Sequence, residues 1–518
     1  MQTALLEAQA PSRETHLPKK ICLIIPPSPF LLDERVFMSL GILKVAAVLE
    51  QAGVTVEVLD LSGVKNFLEA VSDYVRERQD ICWFGLTSTT PQLPAVTKIV
   101  DAMHAVRNDF KVILGGPHIT LVNAAYKREL KLGMTQGRAS KAMRQMQEGF
   151  DMLIAGDGED AIFQAFTPDA PQLIDADDKV SPLFLTNERL TALPFPARHL
   201  VDVSSYHYTI EGVAAISLIA QLGCPFGCGF CGGRESSMLR KIRMRTSENI
   251  VEEIVHLHYT TGKNGFMLYD DELNVNANMV PLMHLIAKTQ RDLGVEWRLR
   301  GFIKSQLFTD EQAIAMREAG FRWILVGFES GSPEILEAIQ KKATREENTR
   351  CMEIAKRHGL KVKALMSMGH PGESSETIKA TREWLLEVKP DDFDVTIITC
   401  YPGTPYYDHA LPVPGKPGFW VYKYPKTGAK LYQQEVDYTT TADYYKGDPD
   451  GGYVAYVYTD FISSADLVRE RDKLEQDVRA ILGIPFNPSA PAMLYEHSMG
   501  QAGMFPTNIL RTSVPKKV

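Results

Sequence analysis

Short apolar runs alternate with stretches of helical periodicity along the first third of the chain. Continuous apolar runs of this length are typical of strands that are buried on both faces. Between the runs, apolar residues recur at helical spacing, and Gly53 marks the end of one predicted helix. Strands joined by helical crossovers predict a doubly wound, Rossmann-like parallel sheet in a domain of residues 20–165. The predicted strands are 21–25, 54–59, 81–86, 111–114 and 152–155.

The same alternation returns after Tyr208 and continues to residue 405. Apolar runs are again separated by helical stretches, one of which begins near Ser247 and ends near Gly262. This pattern predicts a barrel-like α/β domain over 209–405, in which the loops that follow the strands carry the chemistry. The predicted strands are 216–222, 266–270, 295–300, 322–328, 361–369 and 393–399.

The remaining segments lack this alternation. Residues 1–19 are polar and predict a flexible leader without the apolar core of a secretory signal, and residues 166–208 predict a proline-containing linker. The segment 406–518 predicts a mostly helical and loop extension, with a serine-capped helix at 463–482. Prolines and aromatic residues interleave over 412–425, which is typical either of an active-site lid or of a strand packed on the barrel.

Composition narrows the classes of function. The net charge is −8, from 56 basic and 64 acidic residues, which argues against nucleic-acid binding by bulk charge. No apolar run reaches about 18 residues, so no integral membrane segment is predicted. Seven cysteines in 518 residues and no secretory leader favour a cytoplasmic protein. Cys22 and Cys82 lie in apolar runs and are expected to be buried, and Cys351 lies in a helical stretch.

Glycine and polar residues follow the strands of the first predicted domain. Ligands of doubly wound sheets bind outside the carboxyl ends of the strands. Glycines at that edge let a ligand approach the backbone, and hydroxyl groups there can hold an amide or a phosphate. No G-x-G-x-x-G motif follows the first strand, so a dinucleotide is disfavoured. The candidate binding residues are Ser88, Thr89, Gly115, Gly116, His118, Gly156, Gly158 and Glu159.

Three cysteines, Cys224, Cys228 and Cys231, form a C-x3-C-x2-C motif after the first predicted barrel strand. A structural zinc site needs four ligands, usually in C-x2-C pairs, and the sequence has no second pair. The predicted compartment disfavours a disulfide. Three thiolates can hold a [4Fe–4S] cluster and leave one iron open to a small molecule, which is a catalytic arrangement. The three cysteines are therefore the candidate metal ligands.

Charged and polar residues also follow the other predicted barrel strands. Because barrel sites lie at these strand ends, we expect such residues to bind a cofactor or substrate. The candidates are Asp271, Glu272, Arg298, Arg300, Glu329 and Ser330, together with Cys400 and Tyr401 as catalytic residues. Cys400 is a possible donor of a hydrogen atom or a substrate contact, and the alternative is an ordinary buried thiol.

The cysteine motif, with the aromatic Phe230 before its last cysteine, resembles the signature of radical S-adenosylmethionine (SAM) enzymes. Upstream, the ordered loops T-S-T-T, G-G-P-H and G-D-G-E-D resemble the cobalamin-binding domain fused to many of those enzymes, including the class B methyltransferases. The resemblance spans nearly the whole chain. It implies a (β/α)6 partial TIM barrel, a [4Fe–4S] cluster, SAM and cobalamin. The D-x-H-x-x-G motif, whose histidine binds cobalt in many cobalamin domains, is absent here as in many radical SAM relatives.

The resemblance also implies roles for the residues at the strand ends. Asp271 and Glu272 would hold the SAM amino group, and Glu329 with Ser330 would hold the ribose hydroxyls. Arg298 or Arg300 would pair with the SAM carboxylate. Phe230 would lie near the adenine. For each acid or arginine the alternative is a structural ion pair.

The function implied by the resemblance is methylation of an unactivated carbon in a small molecule, after reductive cleavage of SAM to a 5′-deoxyadenosyl radical. An oxidoreductase or cyclase of the anaerobic ring-cyclase type is the alternative among enzymes. A methylthiotransferase is disfavoured because it needs additional N-terminal cysteines. An alternative of another class is a non-catalytic carrier of cobalamin or metal, and a degenerate first domain is also compatible with the pattern. A flavodoxin or ferredoxin is the expected electron donor.

Overall fold

The computed structural model describes residues 17–28, 31, 34–444 and 453–484. Most of the predicted leader and the end of the predicted C-terminal extension lie outside the described residues. Within them, two α/β domains are followed by a smaller sheet and a long helix. No helix in this part of the chain combines the length and apolar character needed to cross a membrane.

The first domain is built on a six-stranded parallel sheet with the order β2-β1-β3-β4-β5-β6. Its first five strands confirm the predicted doubly wound sheet. The sixth strand lies in the segment predicted as a linker and pairs with the fifth, so the sheet continues beyond residue 165. The strands are β1 (Lys20–Ile25), β2 (Thr55–Asp60), β3 (Trp83–Thr87), β4 (Lys111–Gly115), β5 (Met152–Gly156) and β6 (Leu173–Ala176).

Helices cover both faces of this sheet, because successive side chains of each strand point to opposite faces. Leu23 of β1 packs into the core that includes the helix between β1 and β2, whereas Ile24 packs into the core on the other face. Cys22 is buried as predicted, but Cys82 is exposed because it precedes β3. The helices are α1 (Leu40–Gln51), α2 (Phe67–Glu77), α3 (Leu93–His104), α4 (Pro117–Lys131), α5 (Arg138–Gly149), α6 (Gly158–Gln164) and α7 (Asn187–Ala192).

The second domain is a seven-stranded sheet whose six parallel strands follow one another in chain order. This singly wound order confirms the partial barrel, and the sheet is extended at one edge by an antiparallel two-residue strand. The strands in this part of the chain are β7 (Thr209–Ile210), β8 (Val213–Leu218), β9 (Gln221–Leu222), β10 (Arg243–Met244), β11 (Gly265–Leu268), β12 (Arg298–Ile303), β13 (Phe321–Glu329), β14 (Lys361–Met368) and β15 (Asp392–Ile397). Strands β9 and β10 pair with each other outside the barrel sheet.

Capping residues begin and end the helices between the barrel strands. Thr246 caps the first long helix by accepting a hydrogen bond from the Asn249 N–H, and Gly262 ends it in the left-handed conformation. The helices are α8 (Ser237–Arg240), α9 (Ser247–Thr261), α10 (Met279–Leu293), α11 (Asp310–Glu318), α12 (Pro333–Ile339), α13 (Arg345–Arg357) and α14 (Ser375–Val388).

The C-terminal segment contains more strand than predicted. A four-stranded antiparallel sheet follows the barrel, and the proline-rich aromatic stretch forms its first two strands, in agreement with the strand alternative for this stretch. Trp420 of this sheet stacks on Arg138 of α5 at 4.1 Å, so the sheet packs against the first domain. The elements are α15 (Pro405–Asp408), β16 (Leu411–Pro412), β17 (Phe419–Lys423), β18 (Lys430–Gln434), β19 (Val457–Tyr458) and α16 (Ser464–Leu482).

Helix α16, predicted within one residue of its observed start, is joined to the barrel by buried ion pairs. Arg471 is fully buried, pairs with Glu475 at 2.5 Å and donates to the Val395 carbonyl of β15 at 2.8 Å. Arg479 pairs with Asp392 at 3.0 Å at the start of the same strand. Removing one member of a buried pair leaves its partner buried without compensation.

We predict that Arg471→Met lowers the free energy of unfolding by about 3–5 kcal/mol, because Glu475 loses its main cationic partner. The matched control is Arg469→Met on the same helix, where the exposed Arg469–Asp466 pair contributes about 0–1 kcal/mol. Urea denaturation followed by circular dichroism measures both variants. Equal losses in the two variants would show that the buried pairs do not anchor this helix.

Candidate active site

The cysteine loop lies between β9 and α8, at the carboxyl end of the first barrel strand. The Cys224 N–H donates to the Leu239 carbonyl at 3.0 Å, and the Gly229 N–H donates to the Ile339 carbonyl of α12 at 2.7 Å. Gly229 also faces the ring of Tyr406, where a Cβ atom would stand 2.2 Å from a ring carbon. A side chain at residue 229 would therefore push the loop off this ring.

The far side of the loop is attached to the segment that follows β15 and to the first domain. The N–H groups of Gly233 and Arg234 both donate to the Gly403 carbonyl, at 3.0 and 3.2 Å. Gly232 lies against Leu121 of α4, which a Cβ atom would approach to 2.9 Å. The loop is thus held between the barrel and the first domain.

The three thiols lie in a largely buried environment with cations nearby. Burial raises the pKa of Cys231 to about 12, and the charge of Arg234 is the strongest influence that opposes this rise. Burial also raises the pKa of Cys224, and Lys304 and Arg234 oppose it. Such thiols ionise when they bind a metal.

Among the described residues, no three histidine, cysteine or acidic side chains converge on a single metal ion. Each ligand of a four-iron cluster binds its own iron atom, so its ligands need not converge in this way. The donor set of three clustered cysteines with neighbouring cations fits an iron–sulfur cluster.

Two aspartates after β11 shape the turn that leads into the cysteine loop. Asp270 accepts hydrogen bonds from the N–H groups of Ala220 and Gln221, at 2.7 and 2.8 Å, and burial raises its pKa to about 7. Asp271 accepts from the Gly223 N–H at 2.8 Å. Asp271 therefore supports the backbone next to Cys224, whereas its neighbour Glu272 lines the barrel cavity.

A cavity of about 410 Å³ occupies the carboxyl end of the barrel. It brings together four of the predicted residues with side chains that the sequence analysis did not single out. The predicted members are Phe230, Glu272, Glu329 and Tyr401. The other lining residues are Phe302, Gly327, Lys341, Leu365, Met366, Ser367, Thr396, Ile397, Ile398, Thr399, Tyr444 and Tyr453.

Glu329 is the best-supported acid of this cavity. It ends β13 at a break in register with β14 and has a left-handed φ of 66°, an unusual conformation for a residue other than glycine. Lys341 contacts one carboxylate oxygen at 2.7 Å, and the Ser367 hydroxyl donates to the other at 2.8 Å. Burial favours the neutral acid, but the attraction of Lys341 outweighs it and lowers the pKa of Glu329. Glu329 is thus held ionised.

A buried histidine continues this network away from the cavity. The Nε2 atom of His370 lies 2.8 Å from the Ser367 hydroxyl, and burial lowers the pKa of His370 to about 4. A neutral His370 can donate from Nε2 to Ser367, which then donates to Glu329. The ring of Phe230 lies 5.4 Å from the His370 ring, so the network also borders the cysteine loop.

Three predicted residues lie away from the barrel cavity. Ser330 is buried and bonded to the Thr381 hydroxyl at 2.9 Å. Arg298 and Arg300 were predicted at the end of their strand, but that strand continues to Ile303. Arg298 therefore lies at the amino end, opposite the first residue of β11, and the buried Arg300 lies 5.5 Å from the Trp323 ring below the cavity.

The cations found near the cavity are Lys304 and Lys341, and sequence reasoning missed both. Lys304 follows the true end of β12, is 1% exposed and lies 3.9 Å from the Phe226 ring. Burial lowers the pKa of Lys304, while the pKa of Lys341 is raised by Glu329 and Glu272 against the effect of burial. Had the end of β12 been predicted correctly at Ile303, the next residue, Lys304, would have been a candidate. The spacing of residues along the chain gives no signal for Lys341.

A second cavity, of about 240 Å³, lies between the first domain and the barrel. Its walls are mostly apolar. The predicted residues Gly115, Gly116, Gly156, Gly158 and Glu159 line it, as does Thr87. From the barrel side, Ile219, Leu222, Met238, Leu239, Arg245 and Glu253 complete it.

Two glycines at the floor of this interdomain cavity are required by the backbone. Gly116 and Gly156 both have a φ of 95°, and a Cβ atom would stand 2.5 Å from the Thr87 hydroxyl and 2.4 Å from the Asp177 nitrogen respectively. The carboxyl edge of the sheet is therefore free of side chains at these positions. Such an edge lets a bulky ligand approach the strands closely.

The rim of the interdomain cavity carries groups with shifted pKa values. Burial lowers the pKa of Lys44 to about 8. Burial, followed by the charge of Asp157, raises the pKa of Glu159 to about 7. A polar rim around an apolar interior suits a ligand with both characters.

Ser88, Thr89 and His118 do not line the interdomain cavity. Ser88 is buried and its hydroxyl donates to the Thr89 carbonyl, while Thr89 caps a short helical turn. His118 is 1% exposed, lies 3.1 Å from the Thr90 hydroxyl and has a pKa lowered by burial to about 4. It faces a third cavity of about 360 Å³, between α4, α5 and the C-terminal sheet.

The two predicted catalytic residues face different cavities. Cys400 is buried, with a pKa raised by burial to about 12, and lines the third cavity rather than the barrel cavity. Its carbonyl accepts a hydrogen bond from the Tyr438 hydroxyl at 2.8 Å. Tyr401 lines the barrel cavity from the loop that follows β15.

Comparison with known families identifies both domains. Residues 34–147 match the model of the B12 binding domain, and residues 218–385 match the model of the Radical SAM superfamily. An uncharacterized methyltransferase of Pyrococcus horikoshii is 25% identical over 401 residues, which covers 76% of this chain and 83% of that protein. The anaerobic magnesium-protoporphyrin IX monomethyl ester cyclase of Rubrivivax gelatinosus is 24% identical over 376 residues, 68% of this chain and 62% of the cyclase.

A solved structure has the same fold. The radical S-adenosylmethionine methyltransferase TsrM from Kitasatospora setae, with cobalamin and a [4Fe–4S] cluster bound, has a TM-score of 0.64 at 17% identity. The alignment covers 88% of this chain and 91% of that one. The chain thus combines a B12-binding domain with a Radical SAM domain, and these two domains imply a [4Fe–4S] cluster, SAM and cobalamin as its cofactors.

Proposed function

We propose that this protein is a cobalamin-dependent radical SAM methyltransferase that methylates an unactivated carbon of a small molecule. The observation that carries the proposal is the position of the cysteine loop between two cavities, one in the barrel and one against the B12-binding domain. When bound, the reduced cluster supplies the electron that cleaves SAM to a 5′-deoxyadenosyl radical, and cobalamin carries the methyl group.

In this proposal, Cys224, Cys228 and Cys231 hold the cluster. The loop hydrogen bonds described above fix them before the cluster binds, which reduces the ordering required. Phe230 forms the wall of the barrel cavity next to the last cysteine and would contact the adenine. Burial excludes water from a radical reaction.

Glu272 and Glu329 would hold the polar groups of SAM. Glu329 is ionised and oriented by Lys341 and Ser367, so it can accept hydrogen bonds from two ribose hydroxyls. Glu272 lines the same cavity and suits the amino group. For the SAM carboxylate we propose Lys304 in place of Arg298 or Arg300, because it follows β12 beside the cysteines.

The interdomain cavity would hold the apolar part of cobalamin on the side-chain-free edge of β4 and β5. Gly115 lines this cavity, and Lys44 and Glu159 at its rim can bind amide groups. The substrate would enter the part of the barrel cavity lined by Tyr401, Tyr444 and Tyr453. An acidic flavodoxin or ferredoxin remains our proposal for the electron donor.

We predict that Cys228→Ala abolishes the cluster and therefore all SAM cleavage. The matched control is Cys351→Ala, which removes a buried thiol of α13 far along the chain from the loop. Iron and sulfide content and the visible spectrum are measured after anaerobic reconstitution. A Cys228→Ala variant that keeps a full cluster, or a control that loses it, would contradict the assignment.

We predict that Gly115→Leu releases cobalamin while the cluster is retained. A Cβ atom at Gly115 has 3.9 Å to its nearest neighbours, so the backbone tolerates it, but the rest of the leucine fills the cavity. Gly149→Leu, at the exposed end of α5, is the control. The corrinoid absorbance that survives desalting is the measurement, and equal retention in both variants would exclude this cavity as the cobalamin site.

The reaction class is tested without knowing the substrate. The reconstituted holoprotein is reduced with titanium(III) citrate and given SAM labelled in its methyl group, and the extracted corrinoid is analysed by mass spectrometry. We expect label in the corrinoid, and none with Gly115→Leu. Release of 5′-deoxyadenosine without labelled corrinoid would overturn the proposal in favour of the ring-cyclase type, and neither product would favour a carrier.

A further inference from the structure

Arg234, three residues after the last cysteine of the motif, is buried without a complete set of partners. Arg234 is only 8% exposed to solvent. Its Nε and Nη1 atoms are buried and have no hydrogen-bond partner among the described residues. Burying a guanidinium without hydrogen-bond partners is energetically unfavourable. We therefore expect a bound group, rather than the protein chain, to supply the missing partner.

The surroundings of Arg234 point to the cluster as that partner. Its charge acts on the thiols of Cys231 and Cys224 and on the buried carboxylate of Asp271. Its backbone N–H is fixed by the Gly403 carbonyl, which holds the residue beside the loop. Arg234 lines neither the barrel cavity nor the interdomain cavity.

We propose that Arg234 donates N–H hydrogen bonds to sulfur atoms of the [4Fe–4S] cluster and thereby stabilises its reduced state. The proposal rests on the assignment of the cluster to Cys224, Cys228 and Cys231. Net charge and hydrogen bonds to sulfur are among the factors that set the reduction potential of such clusters. Reduction adds one negative charge, and a buried cation next to it is screened little by solvent.

This role differs from that of a neighbouring buried cation. Lys304 lies 3.9 Å from the Phe226 ring and follows the strand that borders the barrel cavity. Arg234 lies on the part of the loop attached to Gly403, and it presents a planar fork of several donors. A fork can reach more than one sulfur at once, so Arg234 is suited to the cluster itself.

The test is a redox titration of the reconstituted protein without SAM, followed by electron paramagnetic resonance of the reduced cluster. In Arg234→Met we expect the ratio of reduced to oxidised cluster at the wild-type midpoint to fall about tenfold, which is 59 mV toward more negative potential for one electron. Arg234→Gln, which keeps a donor but not the charge, should shift in the same direction by less. The control is Arg240→Met. Arg240 is exposed and donates to the backbone carbonyls of Pro225 and Arg234, so this variant removes a cation and two backbone contacts of the same loop but keeps the buried guanidinium, and its midpoint should not change.

Iron and sulfide content separates this proposal from the cluster assignment. If wild-type protein binds no cluster, the assignment fails before Arg234 is tested. If Arg234→Met or Arg234→Gln holds a full cluster at the wild-type midpoint, the tuning role is wrong. A shift seen only after SAM is added would assign Arg234 to SAM instead, and failure of both variants to assemble a cluster that Arg240→Met assembles would make its role structural.

Discussion

The hydrogen bonds between the cysteine loop and the segment after β15 join the parts of this molecule. Gly229 accepts from the Tyr406 N–H at 3.0 Å, and Gly403 accepts from Gly233 and Arg234. These bonds connect the beginning of the barrel to its end, although about 170 residues separate them in sequence. Because Gly232 and Gly403 both lie against Leu121 of α4, the same contact sets the position of the first domain.

Burying charged side chains around the site is energetically unfavourable, and the fold offsets this cost with partners inside the protein. Glu329 is balanced by Lys341, and Asp270 is stabilised by two backbone N–H groups. Desolvation of such groups costs several kcal/mol each, which pairing only partly compensates. Arg234 keeps two buried guanidinium nitrogens without a hydrogen-bond partner among the described residues.

The elements that were predicted well from the sequence are those with a long, uniform hydrophobic pattern or a distinctive residue spacing. Continuous apolar runs identified the strands of both parallel sheets, and the cysteine spacing identified the loop. Short or mixed elements were predicted less well. Strand β6 has alternating burial and lies in a segment predicted as a linker. Strands β16–β18 contain prolines or polar residues, which are also typical of loops. The apolar Val295 and buried Trp297 extended a predicted strand backward, and that shift misplaced Arg298 and Arg300.

The site was predicted less completely than the fold, because the direction of a side chain depends on tertiary contacts. Cys400 and Tyr401 are adjacent in the loop that follows β15, and they line different cavities. Lys341 is buried and contacts Glu329, which lies twelve residues earlier at a left-handed backbone position. Neither fact can be predicted from the spacing of residues along the chain.

Leu239 links the interdomain cavity to the cysteine loop. Leu239 lines the interdomain cavity with its side chain, and its carbonyl accepts the hydrogen bond from the Cys224 N–H. It also lies against Gly233, where a Cβ atom would come within 2.4 Å of its side chain. A ligand that displaces Leu239 would therefore shift the cysteine loop at two points. The lining of the interdomain cavity and the backbone of the cysteine loop are thus parts of one continuous structure rather than of two independent domains.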